Sequence, residues 1–129
     1  MEEKVSFQSD GLKIAGLVDI PEDYKAGERR PAFIMLHGFG GNKDGQGQKV
    51  VGKQMAKWGY VSLRVDFRGC GDSEGERGRI ICLDQVADTR NAISRARAEA
   101  CAVIKLARLA QAISNTSATN TPSTSNDRR

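Results

Sequence analysis

The chain has 129 residues, 39% of them hydrophobic, and a formal net charge of +4, which leaves room for one domain with an ordinary core. Residues 1–94 carry 14 basic and 14 acidic side chains, so the excess positive charge lies wholly in residues 95–129. Nucleic-acid binding calls for basic residues clustered on one face of a folded module, whereas residues 1–94 are neutral. The basic segment also has no aromatic ring that could stack on a base. We therefore expect no nucleic-acid partner.

The cysteines and the N-terminus bear on the cellular location. The three cysteines (Cys70, Cys82 and Cys101) lack C-x-x-C spacing, so we expect reduced thiols, no metal site and no cofactor. Residues 1–4 are charged and no apolar run follows them, unlike a signal peptide. No stretch approaches the roughly 20 apolar residues of a membrane span. These features predict a cytoplasmic protein that does not bind membranes.

The first elements are a predicted β-hairpin and a buried strand. Polar and apolar residues alternate over 4–9 and 12–20, on either side of the tight-turn pair Asp10-Gly11. Pro21 ends the second strand because it cannot donate a hydrogen bond, and a charged loop follows. Residues 32–36 are continuously apolar, which is typical of a parallel strand buried on both faces.

The next elements alternate between helix and strand. Apolar residues recur at helical spacing over 49–58, before Gly59, and again from Leu83 onward. Between these helices, residues 60–65 predict a second buried strand. This order predicts a parallel sheet wrapped by helices, whose chemistry lies at the carboxyl ends of the strands. A glycine-rich loop follows each of the two buried strands.

Neither glycine-rich loop fits a nucleotide-binding pattern. The chain contains no Gly-Lys-Ser or Gly-Lys-Thr triplet of a phosphate-binding loop. When the loops are aligned on G-x-G-x-x-G, Lys43 and Glu74 occupy the position of the last glycine. We therefore do not expect a nucleotide cofactor.

Both loops resemble those of the α/β-hydrolases. The first reads His37-Gly38-Phe39-Gly40-Gly41 and resembles their oxyanion loop. The second resembles the loop after their fourth strand, through Asp66, Arg68, Gly69, Gly71 and Ser73. The run that includes Asn42 and Lys43 is most similar to bacterial serine esterases of the feruloyl-esterase and serine-aminopeptidase type. The resemblance covers about residues 4–94.

This resemblance implies a fold and a site. The fold is the N-terminal half of an α/β-hydrolase, a β-hairpin plus two parallel strands with flanking helices in an incomplete sheet, and the parent substrate is a small-molecule ester. The N–H of Phe39 would be one oxyanion donor, and the second would follow the nucleophile. His37 is the sole histidine, but the family's base lies far toward the C-terminus, so we expect His37 to pack and hydrogen-bond locally. We expect Asp66 and Arg68 to brace the second loop and Ser73 to be a turn residue.

The resemblance ends near residue 94. No glycine follows Gly78, so no G-x-S-x-G nucleophile elbow lies in the later part of the chain, where the family has it, and no triad base follows; we expect no catalytic residue in the chain. We predict a partial hydrolase domain at 1–94 and a divergent segment at 95–129, helical at first. Eleven of the 14 residues 114–127 are Ser, Thr or Asn, a composition that predicts disorder.

Three interpretations remain open. The chain is a truncated or frame-shifted serine hydrolase, itself inactive, whose parent cleaves carboxylic esters or peptide bonds. Alternatively it is a non-catalytic interaction protein, or one half of a split enzyme whose nucleophile lies on another chain. In the family the third strand lies between the fourth and the fifth, so without a fifth strand residues 32–36 form an exposed edge. Such an apolar edge predicts marginal stability and self-association.

Overall fold

The computed structural model describes residues 1–25 and 28–97. Residues 82–97 form a helix, here called α2, that continues to the last described residue. The preceding elements, in chain order, are β1 (Glu2–Ser9), β2 (Leu12–Asp19), β3 (Ala32–Leu36), α1 (Gln46–Lys57) and β4 (Val61–Val65).

The described strands form one mixed sheet in the order β1-β2-β4-β3. β1 and β4 both run antiparallel to β2, whereas β3 runs parallel to β4. Asp10 and Gly11 join β1 to β2 with positive φ angles of 49° and 80°, the backbone that a type I′ hairpin turn requires. The predicted hairpin, two parallel strands and flanking helices are confirmed.

The two helices lie on opposite faces of the sheet. Successive side chains of a strand point to opposite faces, and all five residues of β4 are buried. Leu63 and Val65 belong to the apolar core that also contains Ala92 of α2. On the other face, Arg64 lies against α1, where a Cβ on Gly52 would be 3.2 Å from the Arg64 Nε. β4 is therefore the centre of the described fold.

The predicted helix over 49–58 is confirmed as α1, with a different start and with its large apolar residues largely exposed. The helix begins at Gln46 instead of residue 49, and its one buried residue is Gly52. Val50 and Trp58 are 61% and 64% exposed. The helix approaches the sheet closely at Gly52, where a Cβ would lie 2.3 Å from Asp19 Oδ2.

The helix predicted from Leu83 onward is confirmed as α2. Leu83 and Val86 remain exposed, whereas Asp88 and Ala92 are fully buried. Asp88 is buried because its carboxylate binds the second glycine-rich loop, which fixes the rotation of the helix about its axis.

β3 lies at the edge of the sheet formed by the described strands, as expected. The expectation that it is buried on both faces is wrong, since Phe33 and Leu36 are 42% and 40% exposed. Within residues 1–25 and 28–97, β3 pairs with β4 alone.

The end of α1 agrees with the prediction. Gly59 has a φ of 88°, and its N–H donates to the Ala56 carbonyl, while the Tyr60 N–H donates to the Met55 carbonyl. These two bonds form a Schellman motif, which ends the helix and directs the chain into β4.

Three other predictions concern membrane spans, the domain boundary and disorder. No helix in the described part of the chain is long and apolar enough to cross a membrane. The domain boundary at residue 94 stays a prediction, and the predicted disorder at 114–127 lies outside the described residues.

Candidate active site

The two glycine-rich loops leave the sheet side by side. β3 and β4 are parallel, and their last residues, Leu36 and Val65, are paired in the register. Residues 37–45 and 66–78 therefore both start at the carboxyl ends of the parallel strands, where the sequence predicted the chemistry.

His37 is held by backbone groups at both ring nitrogens. The Phe67 N–H donates to Nε2 at 3.1 Å, and Nδ1 lies 2.9 Å from the Gly38 carbonyl oxygen. A backbone N–H can only donate and a carbonyl can only accept, so Nδ1 carries the proton of a neutral imidazole. The ring is buried and packs edge-on against Phe67 at a centroid distance of 5.0 Å. This geometry gives His37 a local bracing contact and leaves neither nitrogen for a substrate.

Residues 38–41 form a tight turn. The Gly41 N–H donates to the Gly38 carbonyl at 3.1 Å, and Gly40 has a φ of 67°. A positive φ at the third position is typical of a type II turn, with Phe39 at the second position. Within the described part of the chain, no acceptor pairs with the Phe39 N–H, and the Phe39 side chain is 92% exposed.

Asp66 joins the two loops through both carboxylate oxygens. Its Oδ1 accepts the Lys43 N–H at 2.5 Å, and its Oδ2 accepts the Lys43 Nζ and the Asp72 N–H, each at 2.9 Å. A Cβ on Gly71 would lie 2.2 Å from Oδ2, and the φ of 49° there disfavours any L side chain. The glycine at position 71 is therefore required by the Asp66 carboxylate.

Lys43 is a site residue that sequence reasoning missed. Its side chain is 3% exposed, and Nζ forms ion pairs with Asp66, Asp72 and Asp44 at 2.9, 2.6 and 3.0 Å. Burial lowers the pKa of Lys43, but the hydrogen bonds that Nζ donates to Asp72, Asp66 and Asp44 outweigh it and raise the pKa above its ordinary value. The same contact with Lys43 lowers the pKa of Asp72.

Arg64 links this cluster to the first two strands. It is fully buried within β4, and its Nη1 donates to the Lys43 carbonyl at 3.0 Å. Its Nε and Nη2 donate to Asp19, and Nη2 also donates to Glu2. In the sequence, Arg64 is the one charged residue of this strand, but its partners Asp19 and Glu2 are distant along the chain.

Ser73 and Gly69 shape the second loop. The Ser73 hydroxyl donates to the Asp66 carbonyl at 2.7 Å and accepts the Ala15 N–H at 2.8 Å, so it ties the loop to β2. Gly69 has a φ of 74°, and a Cβ on it would lie 2.3 Å from the Glu76 carbonyl oxygen.

Arg68 binds away from the first loop. Its Nη2 donates to Asp88 at 2.7 Å and to Asp10 at 2.8 Å. These hydrogen bonds, Asp88 first, raise the pKa of Arg68. Burial raises the pKa of Asp88, but the bonds from Arg68 and Ser9 prevail and lower it. Arg68 thus joins the second loop to α2 and to the hairpin turn.

The site as described has a candidate oxyanion donor and its supports. His37 is the only histidine of the 129 residues, and its ring is occupied as above. The Ser73 hydroxyl is buried and fully engaged. Residues 71–75 match the letters G-x-S-x-G, but they form a loop and not a strand-to-helix elbow. The Ser73 hydroxyl there is held by the Asp66 carbonyl and the Ala15 N–H, so it is not an exposed nucleophile.

Comparison with known proteins places this arrangement in a family. Residues 10–118 match the profile of the X-Pro dipeptidyl-peptidase family, S15. The chain is 37% identical over 98 residues to the polyketide transferase ATR5 of Stachybotrys chlorohalonatus, a match that covers 71% of this chain and 30% of the transferase.

Solved structures agree on the fold. The α/β-hydrolase GrgF from Penicillium sp. sh18 is 32% identical with a TM-score of 0.64, over 73% of this chain and 31% of GrgF. Est1E from Butyrivibrio proteoclasticus, solved with ferulic acid, is 24% identical with a TM-score of 0.68, over 72% of this chain and 36% of Est1E. The chain thus spans about a third of the length of these relatives.

Proposed function

Because the chain belongs to the X-Pro dipeptidyl-peptidase (S15) family and has part of the α/β-hydrolase fold, we propose that residues 37–41 supply one oxyanion donor of a serine-dependent hydrolase. The observation that carries this proposal is the Phe39 N–H, which has no acceptor in the described part of the chain and lies in a turn braced by His37. Such preorganised donors stabilise the negative charge that develops when a carbonyl is attacked.

The proposed substrate is a small carboxylic ester. The run from His37 to Lys43 is most similar to serine esterases, and a similar protein is described as a polyketide transferase. The family profile favours a second candidate, the peptide bond after an X-Pro dipeptide. Both reactions pass through an oxyanion, so the same loop serves either.

We propose that these 129 residues alone do not hydrolyse such substrates. Loss of the nucleophile or the base of a serine hydrolase lowers turnover by roughly 10⁶, and what remains depends on a complete oxyanion hole. The nucleophile would come from a longer reading frame or from a second chain. We also propose a cytoplasmic location; the free thiols of Cys70 and Cys82 in the described residues are compatible with it.

The test begins by resequencing the gene and translating all three frames past codon 94. If a frame contains G-x-S-x-G and a later Asp and His, that longer protein is expressed and assayed with p-nitrophenyl acetate and Ala-Pro-p-nitroanilide. Phe39→Pro keeps the second position of the turn, where proline is favoured, but removes the N–H. We expect it to lower kcat by about 10²–10³.

Phe39→Ala is the matched control because it shortens the side chain and keeps the N–H. Equal loss of kcat in both variants would contradict the oxyanion role. Preference for the anilide over the ester would favour the peptidase candidate. If no frame or neighbouring gene supplies a nucleophile, the hydrolase proposal fails.

A second candidate function is a non-catalytic interaction through β3. The observation that favours it is the apolar edge strand, with Phe33 and Leu36 exposed. A defined dimer on gel filtration would support this function, whereas a monomer or a broad aggregate would contradict it.

A further inference from the structure

We infer that Lys43 is a positioning residue, which fixes the backbone of residues 38–41 and thereby the direction of the Phe39 N–H. This inference rests on the proposed function, because it assigns Lys43 a role toward the same loop. It concerns a residue that touches neither the substrate nor the reacting atoms.

The first argument is that both ends of the turn are anchored to consecutive residues of the second loop. At one end, His37 Nε2 accepts the Phe67 N–H at 3.1 Å. At the other end, the Lys43 N–H donates to Asp66 Oδ1 at 2.5 Å. Between these anchors the turn is closed by one internal hydrogen bond, from the Gly41 N–H to the Gly38 carbonyl. The anchors therefore determine the shape of the turn.

The second argument is that Lys43 is anchored through its backbone and its side chain together. Its carbonyl accepts the Arg64 Nη1 at 3.0 Å, and its Nζ reaches Asp66 Oδ2 at 2.9 Å. Because the N–H and Nζ of the same residue bind the two oxygens of one carboxylate, Lys43 cannot rotate or slide without losing both bonds. The exit of the turn is thereby fixed in direction as well as in place.

The third argument is that the position requires an ammonium group. Nζ has three N–H bonds, and three carboxylates accept them, those of Asp66, Asp72 and Asp44. Asp66 is fully buried, so a neutral side chain at position 43 would leave its charge without a partner ion. The loop would then lose the contact that fixes its exit.

The experiment is amide hydrogen exchange, measured by NMR on the 129-residue chain. The Gly41 N–H reports closure of the turn. We expect Lys43→Met to speed its exchange by about tenfold or more, the factor for one charge-assisted hydrogen bond. Asp72→Asn removes a charged partner of Lys43 whose side chain is 71% exposed, so we expect the Gly41 N–H to exchange about two- to threefold faster. The Asp66 N–H, which donates to the Ala15 carbonyl of β2 just after β4 ends, should exchange at the wild-type rate.

Arg30→Ala is the control, because it breaks an ion-pair cluster with Asp23 and Glu28 in another part of the chain. It should leave Gly41 exchange unchanged. The inference is overturned if Gly41 exchange stays at the wild-type rate in both variants, or if it rises only together with that of Asp66. Should Lys43→Met not fold, Asp72→Asn decides alone. Exchange does not depend on hydrolysis, so a failure here is distinct from a null effect of Phe39→Pro.

Discussion

The carboxylate of Asp66 determines the residue types around it. It is fully buried and accepts hydrogen bonds from two backbone N–H groups and one ammonium. A charge at such a depth needs partners that touch it closely, and this explains both Lys43 and the absence of a side chain at Gly71. The residues that shape the candidate oxyanion loop are thus selected by one buried charge.

Gly71→Ala tests this requirement at the scale of one residue. The added Cβ would lie 2.2 Å from Asp66 Oδ2 at a φ of 49°, so we expect a loss of about 2 kcal/mol or more in urea unfolding. Gly78→Ala is the control, since it has a φ of 81° and no atom within 4 Å of its Cβ. Gly78→Ala therefore measures the cost of the positive φ alone, and we expect it to lower the free energy of unfolding by about 1 kcal/mol. Equal losses in the two variants would contradict the contact with Asp66.

At the scale of elements, buried polar contacts decide how the helices dock. α1 meets the sheet at Gly52, where a Cβ would be 2.3 Å from Asp19 Oδ2. α2 is held by Asp88, which accepts bonds from Arg68 and from Ser9 of β1. Large apolar residues such as Val50 and Leu83 stay exposed, whereas Ala92 of α2 packs into the core one turn after Asp88.

The Asp88 contact predicts a dependence of stability on pH. Its folded pKa is lowered from 3.8, so its stabilising contribution is present above that value and is lost as the pH falls through the folded pKa. We expect the free energy of unfolding, from urea titrations, to decrease below about pH 4. Asp88→Asn should flatten this decrease, whereas Asp84→Asn keeps the Asp88 hydrogen bonds and should retain it. An unchanged slope in Asp88→Asn would refute the assignment.

At the scale of the whole molecule, the sheet has an apolar edge at β3. Phe33 is 42% exposed there, and within the described ranges β3 pairs with β4 alone. A strand edge without charged or proline residues is a template for pairing with another chain. We expect the chain to associate in solution and to be marginally stable.

Phe33→Lys tests this association, because a charge on the edge strand opposes pairing. We expect gel filtration to show a shift from associated species toward monomer. Leu83→Lys is the control, since Leu83 is 78% exposed and lies in α2, not on the edge strand. A wild-type chain that is monomeric and melts cooperatively would overturn the expectation, as would equal shifts in the two variants.

The sequence by itself determined the order of the elements and the position of the loops. Asp10-Gly11 predicted the hairpin, Gly59 predicted the end of α1, and the apolar runs predicted the parallel strands, because each signal depends on local backbone geometry or on the period of the chain. The resemblance of residues 37–41 and 66–73 to known loops then indicated the family and placed the candidate site at the carboxyl ends of the parallel strands.

Only the tertiary structure decided which side chains are buried. Lys43 and Arg64 lie inside the fold and Val50 and Leu83 outside it, contrary to what their polarity suggests. The physical reason is that a charge is tolerated in the interior when partners distant in sequence neutralise it, as Asp66 does for Lys43 and Asp19 for Arg64. Such pairings depend on the packing of β4 against its neighbours, and no local pattern in the sequence records them.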